Sequence, residues 1–374
     1  MDLSSACLAW FRTFQNFTET SIFCQTIIDM RIYCYTINRS KENPATIGTR
    51  SGVQNNLANR LNALWQAHSK RFAPIKKRGN HMANHLSRDE QIQIVRLLVE
   101  GSSLRSITRI TGIHRTTIQK LLVSFGESCR SFLDGEMRNL RLNHLQCDEI
   151  WTFCRKKQAH LKPEEKDDPS IGDQYLFIAF DEETKLMACY ALGKRTKETT
   201  EAFAADLAQR IITPDMESDE PKPQISTDGW AAYPGAIDLA FANTVSHGVL
   251  IKKYADEQSG RYAPPEVVGT DRSIIQGDID PFSICTSHVE RNNLTIRTFM
   301  RRFTRLSLGF SKKLENLAAA VAIHIAYYNF CWRTRQPGTS GKLRPTAAMM
   351  ANVTDHLWSL DEFFSIVTNY ESTI

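Results

Sequence analysis

From Arg88 onward the apolar positions fall into two successive regimes, a helical period first and a strand period after it. Ser87 followed by Glu90 forms a capping box ahead of the stripe Ile92, Val95, Leu98 and Val99, which ends at Gly101. A second helix, SLRSITRIT, begins after a Ser102 or Ser103 cap and breaks at Gly112, and a third continues through HRTTIQKLLVSFG. Two helices joined tightly at a glycine fit a helix-turn-helix, with Leu104, Ile107, Ile110, Ile113, Ile118 and Leu121 as its expected core. Residues 126–143 read as a connecting helix.

After this segment the period changes. LQCDEIWTFC reads as a strand, followed by the charged loop LKPEEKDDPS, and YLFIAFDEETKLMACYAL reads as two strands joined at DEET. TKETTEAFAADLAQRII is helical, with Thr196 or Thr199 as cap and Phe203, Leu207 and Ile211 on one face. PQISTDGW is a short strand, YPGAIDLAFAN a helix and HGVLIKKYA another strand. Residues 256–286 read as a long loop, and a helical C-terminal part begins near Ser287. Three antiparallel-leaning strands, then helix, strand, helix, strand and helix, is the element order of a ribonuclease H-like fold. The expected class is thus α/β: a ribonuclease H-like, retroviral integrase-type catalytic domain at 131–310, preceded by an all-α helix-turn-helix domain at 82–130 and followed by a helical region at 311–374.

Residues 1–81 show no sustained period and are left unassigned, as a disordered segment or a mis-called start, with Met82 an alternative translation start. The nine cysteines include no CxxC pair, which points to reduced thiols in a cytoplasmic, nucleoid-associated protein. No run of 18 apolar residues exists, so a membrane-spanning role is excluded from the expectations. The net charge of +5 is modest, but the basic residues concentrate at 105–120 and 291–313, which points to a polyanionic partner. On the helix-turn-helix, Arg105, Arg109, His114, Arg115, Thr116, Thr117, Gln119 and Lys120 make up a face with no acid from 104 to 125, suited to phosphates and base edges. A solvated charged face is the plain alternative.

Three acids are the candidate chemistry: Asp148 inside the first strand, Asp228 at the end of the fourth, and Glu290 at the start of the later helix. In a ribonuclease H-like sheet the first two positions are neighbours, and a following helix packs across them. Hard carboxylate oxygens at such a point suit two Mg²⁺ (or Mn²⁺) ions about 3.5–4 Å apart, which neutralise the attacking and leaving oxygens of a phosphodiester. Each acid also has a plain reading: Asp228-Gly229 as a turn, Asp148 paired with Arg297, and Glu290 as a helix-terminal charge worth about 0.3–1 kcal/mol. Glu149 is expected to point to the opposite face of its strand, and Asp181 to serve a turn. Arg297, Arg301 and Arg305 recur every four residues on a helix taken as 288–305, with Arg291 and Arg302 beside them, which would form a ridge along a phosphate backbone. His288 and Asn292 flank Glu290 as positioning candidates or as packed residues. Trp151 and Trp230 are read as core, with base stacking the alternative.

CDEIW, STDGWAAYP and TSHVERNNLTIRTFMRRFTRLSLGFSKKLENLAAAVAIHIAYYNF together resemble the catalytic blocks of DDE transposases of the bacterial insertion-sequence-one group and its relatives, and NVTDHLWSLDEF is similar to their tail. The resemblance runs from about Leu86 to Phe364. It implies that Asp148, Asp228 and Glu290 bind the metal ions, and that the helix-turn-helix recognises terminal inverted repeats. It also implies that double-stranded DNA is both cut and joined, by an oligomer acting on two ends. Many relatives carry a small zinc-binding module ahead of the helix-turn-helix, and residues 1–81 have no suitable Cys or His spacing for one. The other reading is a helix-turn-helix regulator with a silent catalytic fold.

Overall fold

A computed structural model of the chain describes residues 85–215, 217–255, 266–335 and 340–370, so the expectations for residues 1–81 lie outside the described residues. The chain divides into two units, and the second, Ser87–Ile374, is the one described below. No helix among the described residues is long and apolar enough to cross a membrane.

Three helices open this unit: α1 (Arg88–Val99), α2 (Leu104–Thr111) and α3 (Arg115–Glu136). The Ser87–Glu90 capping box is formed in both directions, and Ser103 caps α2. Gly112 ends α2 in the left-handed region at φ +73°, which lets the chain reverse directly into α3 without a side-chain penalty. Ile107 and Ile118 are fully buried as expected, but Ile110 is 59% exposed and does not belong to the core. The third helix and the connecting helix expected after it are one continuous element, because Phe125, Cys129, Phe132 and Leu133 carry the buried stripe on past Gly126.

A six-stranded sheet follows, in the order β3-β2-β1-β4-β5-β6. The strands are β1 (His144–Cys154), β2 (Gly172–Asp181), β3 (Met187–Gly193), β4 (Gln224–Asp228), β5 (Ser246–Tyr254) and β6 (Val267–Gln276). β2 pairs antiparallel with both β1 and β3, β4 runs parallel to β1 and β5 parallel to β4, and β6 returns antiparallel along β5. Helices α4 (Lys197–Arg210) and α5 (Tyr233–Phe241) make the crossovers. This mixed α/β arrangement is consistent with a ribonuclease H-like fold. The expectation of a loop over 256–286 is corrected by β6, whose residues are exposed almost throughout, so no alternation of buried and open positions marks it in the sequence.

The chain then forms α6 (Ser287–Phe299), α7 (Leu314–Phe330), the short α8 (Ala347–Met350) and α9 (Leu360–Tyr370). α7 is buried nearly all round and packs along α3. Aromatic rings close this bundle: Phe125 lies 5.6 Å from Phe363 and 5.1 Å from Phe364, and Phe132 meets Phe330, Trp358 and Tyr370 at 5.0–5.5 Å. The close approach of α3 to α7 depends on Gly126, where an added Cβ would stand 2.4 Å from the Ala319 Cβ and 2.5 Å from its Cα.

That contact gives a paired expectation. Gly126→Ala forces two backbones apart and should cost roughly 1–3 kcal/mol, the range for overpacking. Gly235→Ala, at an exposed position of α5 with nothing within 4 Å, should be neutral or gain about 0.4–1 kcal/mol. Thermal melts of the two variants check this, and a Gly126→Ala melt equal to wild type would contradict the packing argument.

Candidate active site

β1 lies between β2 and β4 in the middle of the sheet, and its side chains are buried or half-buried throughout, so a polar group there must find a partner. Even-numbered residues of β1 face α6. The Gln146 Oε1 accepts the N–H groups of His288 (2.9 Å) and Val289 (3.1 Å), which satisfies two orphan donors at the start of α6 in place of a side-chain cap. Asp148 Oδ2 accepts from Asn293 Nδ2 at 2.8 Å, and the Thr152 hydroxyl donates to the Arg302 carbonyl at 2.5 Å. Glu290, Asn293 and Arg297 are spaced to share one ridge of α6, and that ridge lies toward Asp148.

The β1–β4 ladder runs up to the pair Cys147–Thr227, so Asp148 and Asp228 follow as the next positions of the two strands. Carboxylate oxygens of Asp148, Glu149 and Asp228 all lie within 4.8 Å of one another. Glu149 was expected on the opposite face, and the structure corrects this. Alternation fixes the direction of Cβ, but the ladder stops at residue 147, and a side chain with two methylenes reaches round the end of β4. Arg195 sits on that side, 3.2 Å from Glu149 Oε2 and 3.5 Å from Asp228 Oδ2, with its guanidinium 4.3 Å from the centre of the Trp230 ring. Trp230 is held beneath it by its indole N–H on Thr200 (3.0 Å), consistent with a packed residue.

Burial first, and then the charges of Asp228 and Glu149, push the Asp148 carboxyl up to about 7. Burial and the Asp228 charge likewise push Glu149 up to about 7 against the opposing pull of Arg195. Asp228 is raised by burial, opposed by the Trp230 backbone N–H, which donates to its Oδ1 at 3.0 Å, and by Arg195. Glu149 Oε1 is buried with no hydrogen-bond partner, as is the Nε of Arg195. An orphaned carboxylate oxygen beside two further carboxylates is a hard-oxygen donor set of the kind a divalent cation takes, so the residues present fit such an ion.

Glu290 lies close enough to Asp148 and Asp228 for its charge to raise both. Its carboxylate is engaged at one oxygen: Lys252 of β5 donates to Oε1, and the Thr286 hydroxyl donates to the same oxygen at 2.6 Å. The cause is the parallel β4–β5 pair, which puts Lys252 two residues past the partner of Asp228. Asp148 forms no ion pair with Arg297 among the described residues, and the Arg297 Nε is buried without a partner. Asp181 serves a turn, accepting the Thr184 N–H and hydroxyl at 2.7 Å each. His288 is turned toward Lys185 (3.0 Å) and Glu182 (3.4 Å), while the Asn292 amide is buried and unpartnered.

The basic ridge expected on a helix 288–305 is shortened. α6 stops at Phe299, Arg301–Phe303 is a single 3-10 turn, and Arg305 lies beyond it, because burial of Met300 and Phe303 draws the chain inward. Arg291, Arg301 and Arg305 are exposed, Arg297 is half-buried, and Arg302 bonds Ser311 Oγ at 2.5 Å. On α2 and α3, Arg105, Arg109, His114, Arg115, Thr116 and Lys120 are exposed and Thr117 is half-buried. His114 is also the cap of α3, its Nδ1 accepting the Thr116 N–H at 3.3 Å. Gln119 departs from the open face, since its amide donates to Asn316 of α7 at 3.3 Å. Arg195 and Lys252 were missed, and the signals available were a cation two residues past the end of β3, in GKRTKE, and a lysine in the second half of β5, in LIKKY.

No protein-family profile matches the chain, and no curated protein matches it. Among solved structures it is similar to a piggyBac transposase synaptic complex with hairpin DNA determined by cryo-EM, at a TM-score of 0.36 and 11% sequence identity, over 81% of this chain and 75% of that one. A likeness of that degree carries no weight for function.

The raised carboxyls set a pH dependence. Asp148 and Glu149 bind protons more tightly folded than unfolded, so between the ordinary carboxylate range near 4 and about 7 the folded state holds protons that the unfolded state has released. Stability should therefore fall as pH rises through that window in EDTA. Asp148→Asn should flatten the slope, and millimolar Mg²⁺ or Mn²⁺ should raise the wild-type melting temperature at pH 8. A melting temperature that rose from pH 5 to pH 7 in EDTA would overturn the assignment.

Proposed function

We propose that this chain is a DDE-type transposase that binds the terminal inverted repeats of an insertion sequence and cuts and joins DNA with divalent metal ions. The observation that carries the reading is the convergence of Asp148, Asp228 and Glu290 from β1, β4 and α6 at one end of the central strands, where burial and mutual repulsion raise the first two. It is supported by the three sequence blocks around these acids, which resemble those of the insertion-sequence-one group. Two Mg²⁺ (or Mn²⁺) ions would be held by Asp148, Asp228 and Glu290, with Glu149 as a further donor. When bound, such ions neutralise charge on the attacking and leaving oxygens of the phosphodiester.

The remaining steps belong to the chain's own groups. Asn293 fixes the orientation of Asp148 through its amide, and Arg195 and Lys252 hold Glu149, Asp228 and Glu290 in place. Arg105, Arg109, Arg115, Thr116 and Lys120, exposed on α2 and α3, are the groups for duplex contact, with Arg115 at the first position of α3, where it can enter the major groove. Arg291, Arg297, Arg301 and Arg305 add positive charge along the path from that face to the acids. Acting on two ends requires at least a dimer on DNA.

Incubation of the protein with Mn²⁺ and a labelled fragment bearing the element ends should give cleavage and joined products. Asp228→Asn should bind the fragment with wild-type affinity and lose both reactions by at least about a hundredfold, the scale for removing a group that stabilises developing charge. Full activity in Asp228→Asn would show the metal-site assignment to be wrong. In gel shifts, Arg115→Ala should weaken binding to end DNA by roughly 1–3 kcal/mol and relax its sequence preference.

A further inference from the structure

Beside α1–α3, where the chain leaves α6, lies a cleft of about 560 Å³. Arg105 and Arg115 line it from one side, Arg301, Arg302, Lys312 and Lys313 from the other, and no Asp or Glu lines it. Lys313 is paired with Glu315 at 3.1 Å, and Arg302 is bonded to Ser311, but Arg105, Arg115, Arg301 and Lys312 carry no ion pair among the described residues. Four uncompensated cations round one concavity are held there against their own repulsion, which is a strong demand for an anionic occupant.

Two features distinguish this place from a merely solvated basic surface. His324, in the wall formed by α7, is 6% exposed, and its Nε2 has no hydrogen-bond partner. Burial pushes the ring down to about 4, so it faces the cleft as a neutral group with one polar atom unused. Apolar surface is interleaved with the charge: Leu308 is 95% exposed, and half-buried Phe299 and Phe310 line the same walls. Cations tracking a backbone beside aromatic platforms are the means by which single strands are held without regard to sequence.

We propose that this cleft holds an unpaired DNA strand, with phosphates on Arg301 and Lys312, bases against Phe299, Phe310 and Leu308, and a polar base or sugar group on His324 Nε2, while Arg105 and Arg115 at its other edge stay with the duplex. The proposal rests on the DNA-cutting function argued above, and it adds a place for strand separated from the duplex near the cut. Size favours a single strand, because the cleft has the volume of a pocket for one small organic ligand, roughly 300–1,000 Å³, which suits about one or two nucleotides and no duplex. Position favours it too. The Thr152 hydroxyl ties the Arg302 carbonyl to β1 four residues beyond Asp148, roughly 13 Å at about 3.3 Å per residue. At about 3.4 Å per stacked nucleotide, a strand leaving the carboxylates reaches the cleft within about four nucleotides.

The test is fluorescence anisotropy of the full chain with a labelled oligothymidylate of about twelve nucleotides, in EDTA, across roughly 50–200 mM salt. Wild type should bind, with log affinity falling linearly in log salt. Lys312→Ala/Lys313→Ala, both at solvent-exposed positions, should lower that slope by about 0.7, the value for the one single-strand phosphate contact assigned to Lys312, and leave affinity for a duplex of the same length within about twofold. Ultraviolet cross-linking of an iodouracil-substituted strand should map to Phe299, Leu308 or Phe310. An unchanged slope in the double variant, equal loss on duplex and single strand, or cross-links confined to residues outside the cleft overturns the proposal. Because the assay contains no divalent ion, its failure would leave the Asp228→Asn cleavage result standing, and failure of cleavage would leave this binding result standing.

Discussion

Four carboxylates, Asp148, Glu149, Asp228 and Glu290, gather where β1, β4 and α6 meet, and the surrounding structure answers to the cost of keeping them together. Burial and repulsion lift two of them to about 7, which means that at neutral pH the site is suspended between holding protons and holding cations. Arg195 braces Glu149 and Asp228, Lys252 engages Glu290, and the Asn293 amide takes Asp148. Each of these partners comes from a different element, so the acids stay close only while the end of β3, β5 and α6 keep their places around β1. Gln146 is the anchor for the last of these, because its single side-chain oxygen accepts both N–H groups that start α6.

The helical segment before the sheet is bound into the same frame. Gly126 lets α3 lie against Ala319 of α7, and Gly101, at φ +76°, brings the end of α1 so close to α6 that a Cβ would stand 2.6 Å from the Phe299 carbonyl oxygen. The exposed basic face of α2 and α3 is therefore carried at a fixed distance from the carboxylates, with the cleft around Arg301 and Lys312 beside it. Under the proposed function, the helix offered to the groove and the carboxylates sit in one packed body and would act on the same stretch of DNA without a hinge between them.

Much of this was legible in the chain. Strands β1 to β4 and the first half of β5 announced themselves because they are buried or half-buried along their length, and Ser87, Glu90 and Gly112 marked helix ends by capping chemistry that is local in sequence. Asp148 and Asp228 were legible as neighbours because a parallel ladder fixes which strand ends meet. What was hidden depends on contacts between distant segments. β6 has no buried face to leave a period, α6 ends at Phe299 because Met300 and Phe303 turn inward, and Gln119 turns from the open face to a partner nearly two hundred residues away. Glu149 was misplaced because alternation describes a strand within its ladder, and this residue stands just past the end of one.

The pairing of Glu290 with Lys252 sharpens what a metal ion must do here. Two paired cations, Arg195 and Lys252, face four acids, so the cluster remains short of positive charge even with every observed ion pair intact. Protons offset this at low pH, and burial first, then the neighbouring charges, hold the carboxyls of Asp148 and Glu149 up at about 7. Under the proposed function a divalent ion would bring two charges to these acids without burying a further side chain. Lys252 and the Thr286 hydroxyl both engage Oε1 of Glu290, which leaves Oε2 as the oxygen for such an ion, so the pairing with Lys252 and a role in holding metal are compatible.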